Sequence, residues 1–285
     1  MSHELTSSLC GRGLFSGREA SVILRRVDGP IHLDGVPLDA YGSVPALRTT
    51  AIAVHERNVK AEGPAQGRKI AMVEHLLAAF GGLGVHEGIA IEVHGDEIPL
   101  LDGGAARWCG ALDEVGAAPS PPPRRVAREG EVAVDASIYR FFPRRSAARD
   151  ARGESAVSLA VTLDFADPRL ALHAEWDGDP RDFRERVAPA RTFVFAHELE
   201  GLAGRGMMAH VDPESVVVIG AEGMHSAGVR ASFDEPVRHK LLDWIGDLFL
   251  HGGPPEGRIE AFRPGHAANH EAMRRARAMG IVVDR

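Results

Sequence analysis

Cysteine is almost absent from this 285-residue chain, and its scarcity excludes two kinds of site. Only Cys10 and Cys109 occur, far apart and outside any Cys-x-x-Cys pair. A disulfide framework or a cysteine zinc knuckle would need more thiols at closer spacing. We therefore expect a protein of the reducing cytoplasm, and any metal that it binds must be held by histidine and carboxylate side chains.

Long apolar runs and an excess of positive charge are missing as well. No segment approaches the ~20 apolar residues that a membrane-spanning helix needs, and the polar first eight residues do not resemble a signal peptide. A net charge of -7 opposes the phosphate neutralisation on which nucleic-acid binding depends. We expect a monomer with a small-molecule substrate, no nucleic-acid partner and no membrane span.

The apolar residues, 44% of the chain, follow both strand and helix periodicities. Runs rich in Val, Ile and Phe predict strands at residues 20–25, 89–93, 131–135, 157–164, 215–219 and 258–262. Helical periodicity predicts helices at residues 72–80, 105–115, 182–187, 237–250 and 268–279. Both kinds of element occur in each half without the regular alternation of a doubly wound sheet, which favours an α+β fold with helices packed on sheets.

A proline-rich segment at residues 117–125 divides the chain. Proline at this density favours extended polyproline geometry and cannot donate to a sheet. We predict a linker here between two domains, residues 1–118 and 126–285. A second irregular segment, 143–154, is rich in arginine, which indicates either a solvated loop or a contact to substrate phosphate.

One predicted helix carries two potential metal ligands one turn apart. Within residues 237–250 the apolar side chains share one arc, His239 and Asp243 lie together on another, and Asp247 continues their row. Two ligands on one helix form half of a metal site with little ordering entropy to lose. The same spacing also fits a surface helix in which His239 and Asp243 pair with each other.

Glu74 and His75 are the strongest candidates for the other half of a metal site. They begin a short apolar helix, where the imidazole can reach a metal and the carboxylate can take a proton from an activated water. Two histidines and one carboxylate would leave the fourth zinc position open, which is the catalytic arrangement. The alternative is a helix amino terminus at which Glu74 serves only as a cap.

His266 is a third candidate, because it lies in a glycine-containing turn after the strand predicted at 258–262. A histidine in such a turn can reach into a cleft, where its charged form would stabilise an oxyanion and protonate a leaving amine. Asp247 could hold that charged form by a hydrogen bond and raise its pKa. A histidine of a surface loop is the alternative.

Other enzyme signatures fail on spacing. The His-Glu pairs at 55–56, 197–198 and 270–271 lack the second histidine of a metalloprotease helix. The glycines between residues 11 and 17 are one residue too widely spaced for a dinucleotide fingerprint and precede a strand. A phosphate loop and a nucleophile elbow are also missing from the sequence. Dehydrogenases, kinases and serine hydrolases are thereby excluded.

Several motifs in the same order resemble one family over nearly the whole chain. They are Gly11-Arg-Gly-Leu-Phe-Ser-Gly17, Val73-Glu-His-Leu-Leu-Ala-Ala79, Glu97-Ile-Pro-Leu-Leu-Asp-Gly103, Ala190-Arg-Thr-Phe193, the segment 234–248 and Gly265-His266. Together they are similar to UDP-3-O-acyl-N-acetylglucosamine deacetylase, the zinc enzyme of the committed step of lipid A synthesis. The resemblance implies hydrolysis of the N-acetyl amide with release of acetate.

The resemblance also implies the metal site and its base. His75, His239 and Asp243 correspond to the family's ligands of one catalytic Zn2+ ion, and Glu74 corresponds to the general base. The implied fold is two α+β domains of similar topology with the active site at their interface. A small βαβ insert near residues 193–209 of the second domain is implied as well.

The remaining roles follow from the same resemblance. His266 corresponds to the general acid that also stabilises charge, and Asp247 to the residue that orients it. Thr192 corresponds to a threonine that binds the oxyanion. Lys240 and Phe193 correspond to residues that contact the substrate.

Two departures from the family pattern leave alternative functions open. Phe15 stands where the opening turn usually has His, and residues 120–156 match little of the pattern. One alternative is a related zinc amidohydrolase that acts on a different acylated amino sugar. The other is a non-catalytic protein that binds nucleotide sugars, for which Glu74 and His266 would have no use.

Overall fold

A computed structural model describes residues 5–38, 42–44, 52–54, 69–144, 156–203, 210–227 and 229–285. Most of the arginine-rich segment predicted as irregular, residues 145–154, lies outside the described residues, as do residues 204–209 of the predicted insert.

The strands are β1 (Thr6–Arg12), β2 (Glu19–Pro30), β3 (His32–Leu33), β4 (Val36–Pro37), β5 (Gly42–Val44), β6 (Ile52–Val54), β7 (Lys69–Ala71), β8 (Glu87–His94), β9 (Arg124–Val126), β10 (Gly130–Val134), β11 (Ser137–Phe142), β12 (Val157–Thr162), β13 (His173–Trp176), β14 (Thr192–Phe195), β15 (Val216–Gly220), β16 (Gly223–Ser226), β17 (Val229–Arg230), β18 (Gly257–Phe262) and β19 (Val282–Asp284). The helices are α1 (Glu74–Leu83), α2 (Ala106–Glu114), α3 (Pro180–Asp182), α4 (Ala196–Ala203), α5 (Glu235–Phe249) and α6 (His266–Ala278). A π-helical turn, Phe183–Val187, continues α3, and a 3-10 turn, Pro213–Ser215, precedes β15.

Two five-stranded sheets share one topology. Their strand orders are β1-β2-β8-β3-β4 and β10-β11-β18-β12-β13. In each sheet the central strand, β8 or β18, is antiparallel to one neighbour and parallel to the other. One helix precedes the central strand (α1 or α5) and one follows it (α2 or α6). The expected α+β fold with two similar halves is confirmed, and the domain limits 1–118 and 126–285 stay a prediction.

The core of the protein runs through both halves, because α1 of the first half packs on α5 of the second. Every residue of α1 is buried, which explains why this helix has no polar stripe. Leu76 and Phe80 from α1 join Trp244 and Leu248 from α5 in the same cluster. The contact between α1 and α5 thus fixes how the two halves meet.

Smaller sheets complete the fold. Strands β14 and β15 are parallel and are connected by α4, so they form a βαβ unit that continues into β16 and β17. Residues 193–203, the described part of the predicted insert, lie in β14 and α4 of this unit, which has a small apolar cluster of its own around Val217, Ile219 and Met224. Strands β5, β6 and β7 form a three-stranded antiparallel sheet, and β9 pairs with β19.

The strands and helices predicted from periodicity are all present, with ends that differ by a few residues. The predicted helix at 182–187 is largely the π-helical turn. Residues 117–122 of the predicted linker have no regular secondary structure. Among the helices of the described residues, none has the length and apolar character that crossing a membrane requires.

Candidate metal centre

The first turn of α1 brings two of the predicted residues to the contact between the halves. Glu74 and His75 are the first residues of this helix, and both are buried. Met72, two residues earlier, has a φ of 59°, an uncommon left-handed conformation for a residue with a side chain. This backbone turn leads strand β7 directly into the helix, so that Glu74 and His75 face α5.

Helix α5 supplies the other two members of the cluster. Asp243 Oδ1 lies 3.3 Å from His239 Nε2 and 3.7 Å from His75 Nε2. One ligand atom from each of these three residues lies within 4.8 Å of the other two, and all three residues are buried. The structure therefore brings together the three predicted ligands from two helices that belong to different halves.

The hydrogen bonds around the cluster fit a metal ion. His239 Nδ1 lies 3.0 Å from Ala190 O, and since a carbonyl can only accept, Nδ1 carries the proton and the lone pair of Nε2 points into the cluster. Asp243 Oδ1 is buried and accepts no hydrogen bond from the residues that the structure describes. The other oxygen, Oδ2, accepts a hydrogen bond of 2.7 Å from Lys240 Nζ.

The protonation states of the cluster suit a metal as well. Burial lowers the pKa of His239 to about 3, so this imidazole is neutral. Burial alone would raise the pKa of Asp243, but the neighbouring Lys240 ammonium and the His266 imidazole hold it well below its usual range. Metal ligands have to be neutral imidazoles and ionised carboxylates. The cluster is thus prepared for a cation.

Glu74 lies beside the cluster in an environment suited to a base. Burial raises the pKa of its carboxyl above the usual value of 4.5, and the nearby His266 and His75 offset part of this effect. A carboxylate with a raised pKa accepts a proton more readily near neutral pH.

His266 approaches the cluster from the second half as the first residue of α6. Its Nδ1 donates to Asp247, 2.9 Å from each carboxylate oxygen, and its Nε2 lies 3.8 Å from Asp243 Oδ2. Burial alone would lower the pKa of His266, but the charge and hydrogen bond of Asp247 raise it to about 9. His266 is therefore a buried cation at neutral pH with Nε2–H facing the cluster.

Two residues that the sequence reasoning missed hold Asp247 in place. Asn269 Nδ2 donates to Asp247 Oδ2 at 2.6 Å, and Tyr139 OH donates to Asn269 Oδ1 at 2.6 Å. The spacing of three residues between His266 and Asn269, which puts both on one helix face, could have indicated Asn269. No spacing in the sequence connects Tyr139 to these residues, and its strand, β11, was not predicted.

Strand β14 brings Thr192 and Phe193 to the edge of the cluster, beside Lys240 of α5. The ring of Phe193 meets the imidazole of His239 edge-on, with centroids 6.1 Å apart, and Lys240 Nζ lies 5.7 Å from the Phe193 centroid. Thr192, half-buried, is held by the first half of the chain, because its N–H donates to Gly103 O at 2.8 Å.

The histidine–aspartate cluster, buried between two similar α+β halves and flanked by the buried carboxyl group of Glu74 and by His266, has the features of a metal-dependent hydrolase. The chain matches the family model described as UDP-3-O-acyl N-acetylglycosamine deacetylase (LpxC) over residues 4–277. It belongs to this family, whose members are metalloenzymes that hydrolyse an amide.

Curated relatives carry the same kind of name. A UDP-3-O-acyl-N-acetylglucosamine deacetylase of Thermosynechococcus vestitus is 33% identical over 276 residues, which cover 94% of this chain and 90% of the relative. Its counterpart of Phenylobacterium zucineum is 33% identical, with 93% of this chain and 88% of the relative covered. That of Syntrophotalea carbinolica is 30% identical, with 93% and 84% covered.

Proposed function

We propose that this protein hydrolyses the N-acetyl amide of UDP-3-O-acyl-N-acetylglucosamine and releases acetate, a step of lipid A biosynthesis. The observation that supports this most is the convergence of His75, His239 and Asp243 beside the buried Glu74 and the charged His266. The substrate is inferred from the family to which the chain belongs. We further propose that the protein acts in the cytoplasm as a monomer.

The cofactor that we propose is one Zn2+ ion held by His75, His239 and Asp243. When bound, zinc acts as a Lewis acid that polarises a carbonyl and lowers the pKa of water towards 7. The neutral His239, the ionised Asp243 and the Asp243 oxygen without a described donor are the features of this chain that suit it.

Glu74 and His266 divide the proton transfers between them. Glu74 takes a proton from the attacking water, and its raised pKa matches this role. His266 gives its Nε2 proton to the leaving amine while Nδ1 keeps its hydrogen bond to Asp247. Because Asp247 is fully buried and ionised, it stabilises the charged form of His266 before the proton is transferred.

The residues at the edge of the cluster position the substrate in this proposal. The hydroxyl of Thr192 donates a hydrogen bond to the oxyanion that forms at the amide carbon. Lys240 and Phe193, which lie together beside His239, contact the sugar nucleotide.

Zinc analysis combined with an acetate-release assay on the acylated nucleotide sugar tests the proposal. We expect His75→Ala to lose tight zinc binding and turnover, whereas His94→Ala, which removes an exposed histidine paired with Glu92, should keep both. A His75→Ala protein that retained stoichiometric zinc and full turnover would refute the assignment.

The same assay distinguishes the alternatives. Turnover of the substrate should depend strongly on its 3-O-acyl chain, because remote contacts contribute to transition-state binding. Equal rates with and without this chain would instead support a related amidohydrolase of different substrate. Tight sugar-nucleotide binding without zinc and without cleavage would support a binding protein.

A further inference from the structure

The candidate metal centre is divided between two helices, so its geometry depends on how closely they approach. Helix α1 supplies Glu74 and His75, and helix α5 supplies His239 and Asp243. The ligand atoms lie within 4.8 Å of one another only because the first turn of α1 lies directly against α5. A small increase in the separation of the helices would take His75 away from its partners.

A glycine between two of the site residues lies against the first turn of α1. Gly246 follows Asp243 by three residues and directly precedes Asp247, in the interior of α5. A Cβ built on Gly246 would overlap the carbonyl oxygen of Glu74 and lie 2.7 Å from its carbonyl carbon and 2.9 Å from its Cα. These are backbone atoms at the start of α1, and they cannot rotate away as the end of a flexible side chain can.

Glycine is an unfavourable residue for this position, which argues that its small size is needed there. Apart from proline, it is the poorest helix former in a helix interior, because it loses the most backbone freedom on folding. Gly110 in α2 provides the contrast, since a Cβ built there has no described atom within 4 Å apart from its chain neighbours and the nearby backbone of its own helix. Both are helical glycines, but only Gly246 touches the backbone that carries a site residue.

We propose that Gly246 is a positioning residue of the metal centre: by lacking a side chain it lets the backbone of Glu74 lie on α5, which brings His75 to His239 and Asp243. A methyl group at this position would push the first turn of α1 away by a distance on the order of 1 Å, a shift large enough to disturb a site of this kind. The proposal rests on the proposed metal centre.

Gly81 of α1 provides a second, milder variant in the same helix pair. A Cβ built there lies 2.8 Å from Cγ2 of Ile245, which is a side-chain atom, and 3.3 Å from Pro254 Cδ. Gly81→Ala therefore disturbs the packing of α1 on α5 almost two turns away from His75 and without a clash against the backbone of Glu74. It separates an effect on packing from an effect on the metal site.

The test compares Gly246→Ala with Gly81→Ala and with the control Gly110→Ala. Each apoprotein is titrated with Zn2+ against a competing chelator, the visible absorption of the Co2+ form is recorded, and folding is verified by near-UV circular dichroism. We expect Gly246→Ala to weaken Zn2+ binding about tenfold or more, with an altered Co2+ spectrum. Gly81→Ala should lower the melting temperature with zinc affinity within about threefold of wild type, and Gly110→Ala should change neither the affinity nor the spectrum.

Each other outcome decides against the proposal. Folded Gly246→Ala with the zinc affinity and Co2+ spectrum of the wild type would refute it and leave the proposed function intact. Gly246→Ala can also be combined with Gly110→Ala, because alanine in place of a helical glycine stabilises a helix. If this double variant does not fold either, Gly246 is needed for the fold in general and the proposal is rejected. A wild-type protein without zinc affinity would refute the proposed function itself.

Discussion

Replacing Asp247 by asparagine removes a charge from the site while nearly preserving its shape. The amide can keep its oxygen at the Oδ2 position, where both His266 and Asn269 donate. Its nitrogen then occupies the Oδ1 position, 2.9 Å from His266 Nδ1 and 3.6 Å from His270 Nε2. Asp247→Asn therefore removes the negative charge that stabilises the imidazolium of His266, together with one of the two carboxylate contacts to its Nδ1–H.

The expected effect is a large drop in the pKa of His266. Asp247 and its neighbours raise this pKa to about 9 against the opposing effect of burial, so without that charge it should fall to the unperturbed 6.5 or below. This drop corresponds to about 3 kcal/mol of lost stabilisation of the imidazolium. At pH 7.5 the protonated fraction would decrease from nearly all of the molecules to about one tenth.

The rate should follow this fraction, because His266 has to donate a proton in the proposed reaction. We expect kcat/KM for acetate release to fall about tenfold or more at pH 7.5 and much less at pH 6. In a profile from pH 5.5 to 10, the alkaline limb should move from near 9 to 6.5 or below. Asp113→Asn, at an exposed ion pair with Arg184, is the control. An alkaline limb that stayed within half a unit of the wild-type position would refute the reasoning.

Three further predictions concern Glu74, Tyr139 and His86. Glu74→Gln cannot accept a proton, so kcat should fall about 10²-fold or more with zinc content unchanged, and loss of zinc would contradict the assigned role. Tyr139→Phe leaves the carbonyl of Asn269 without its 2.6 Å donor, and urea unfolding should show a loss of about 1 kcal/mol; an unchanged midpoint would show that the bond contributes nothing. Burial lowers the pKa of His86 to about 4. Below pH 6.5 the unfolded chain therefore binds more protons than the folded protein, and the free energy of unfolding decreases on acidification. At pH 5 this group should account for a decrease of about 2 kcal/mol. His86→Phe keeps the ring stacked on Phe249 and should reduce that loss, and an equal acid sensitivity of both proteins would contradict this account.

The elements that could be predicted from the sequence are those in which burial produces a clear period. Helix α5 is such a case, because it is buried along most of its length and its apolar and acidic residues recur at helical spacing. Strand β1 is the opposite case. Of its seven residues only Ser7 is buried, so an edge strand of this kind has no apolar alternation that a sequence could show.

The site itself could be predicted in part, because two of its residues recur at helical spacing. His239 and Asp243 share a helix face, which spacing alone can reveal. His75 joins them through the packing of two helices from different halves, which no local spacing encodes. Its residue type and the neighbouring Glu74 made it a candidate, and the family resemblance joined it to His239 and Asp243. The carbonyl of Ala190, which orients His239, is a backbone group and leaves no trace in the residue types.

The similar topology of the halves shows why both are needed for the chemistry. Helices α1 and α5 occupy equivalent places before the central strands, yet α1 contributes through its first turn, whereas α5 contributes from its middle. The two sets of residues come together because α1 begins beside the middle of α5. The amino terminus of α1 then faces the cluster, and the close contact at Gly246 permits it. The proposed base and one ligand therefore come from one half, and the other ligands and the acid come from its counterpart.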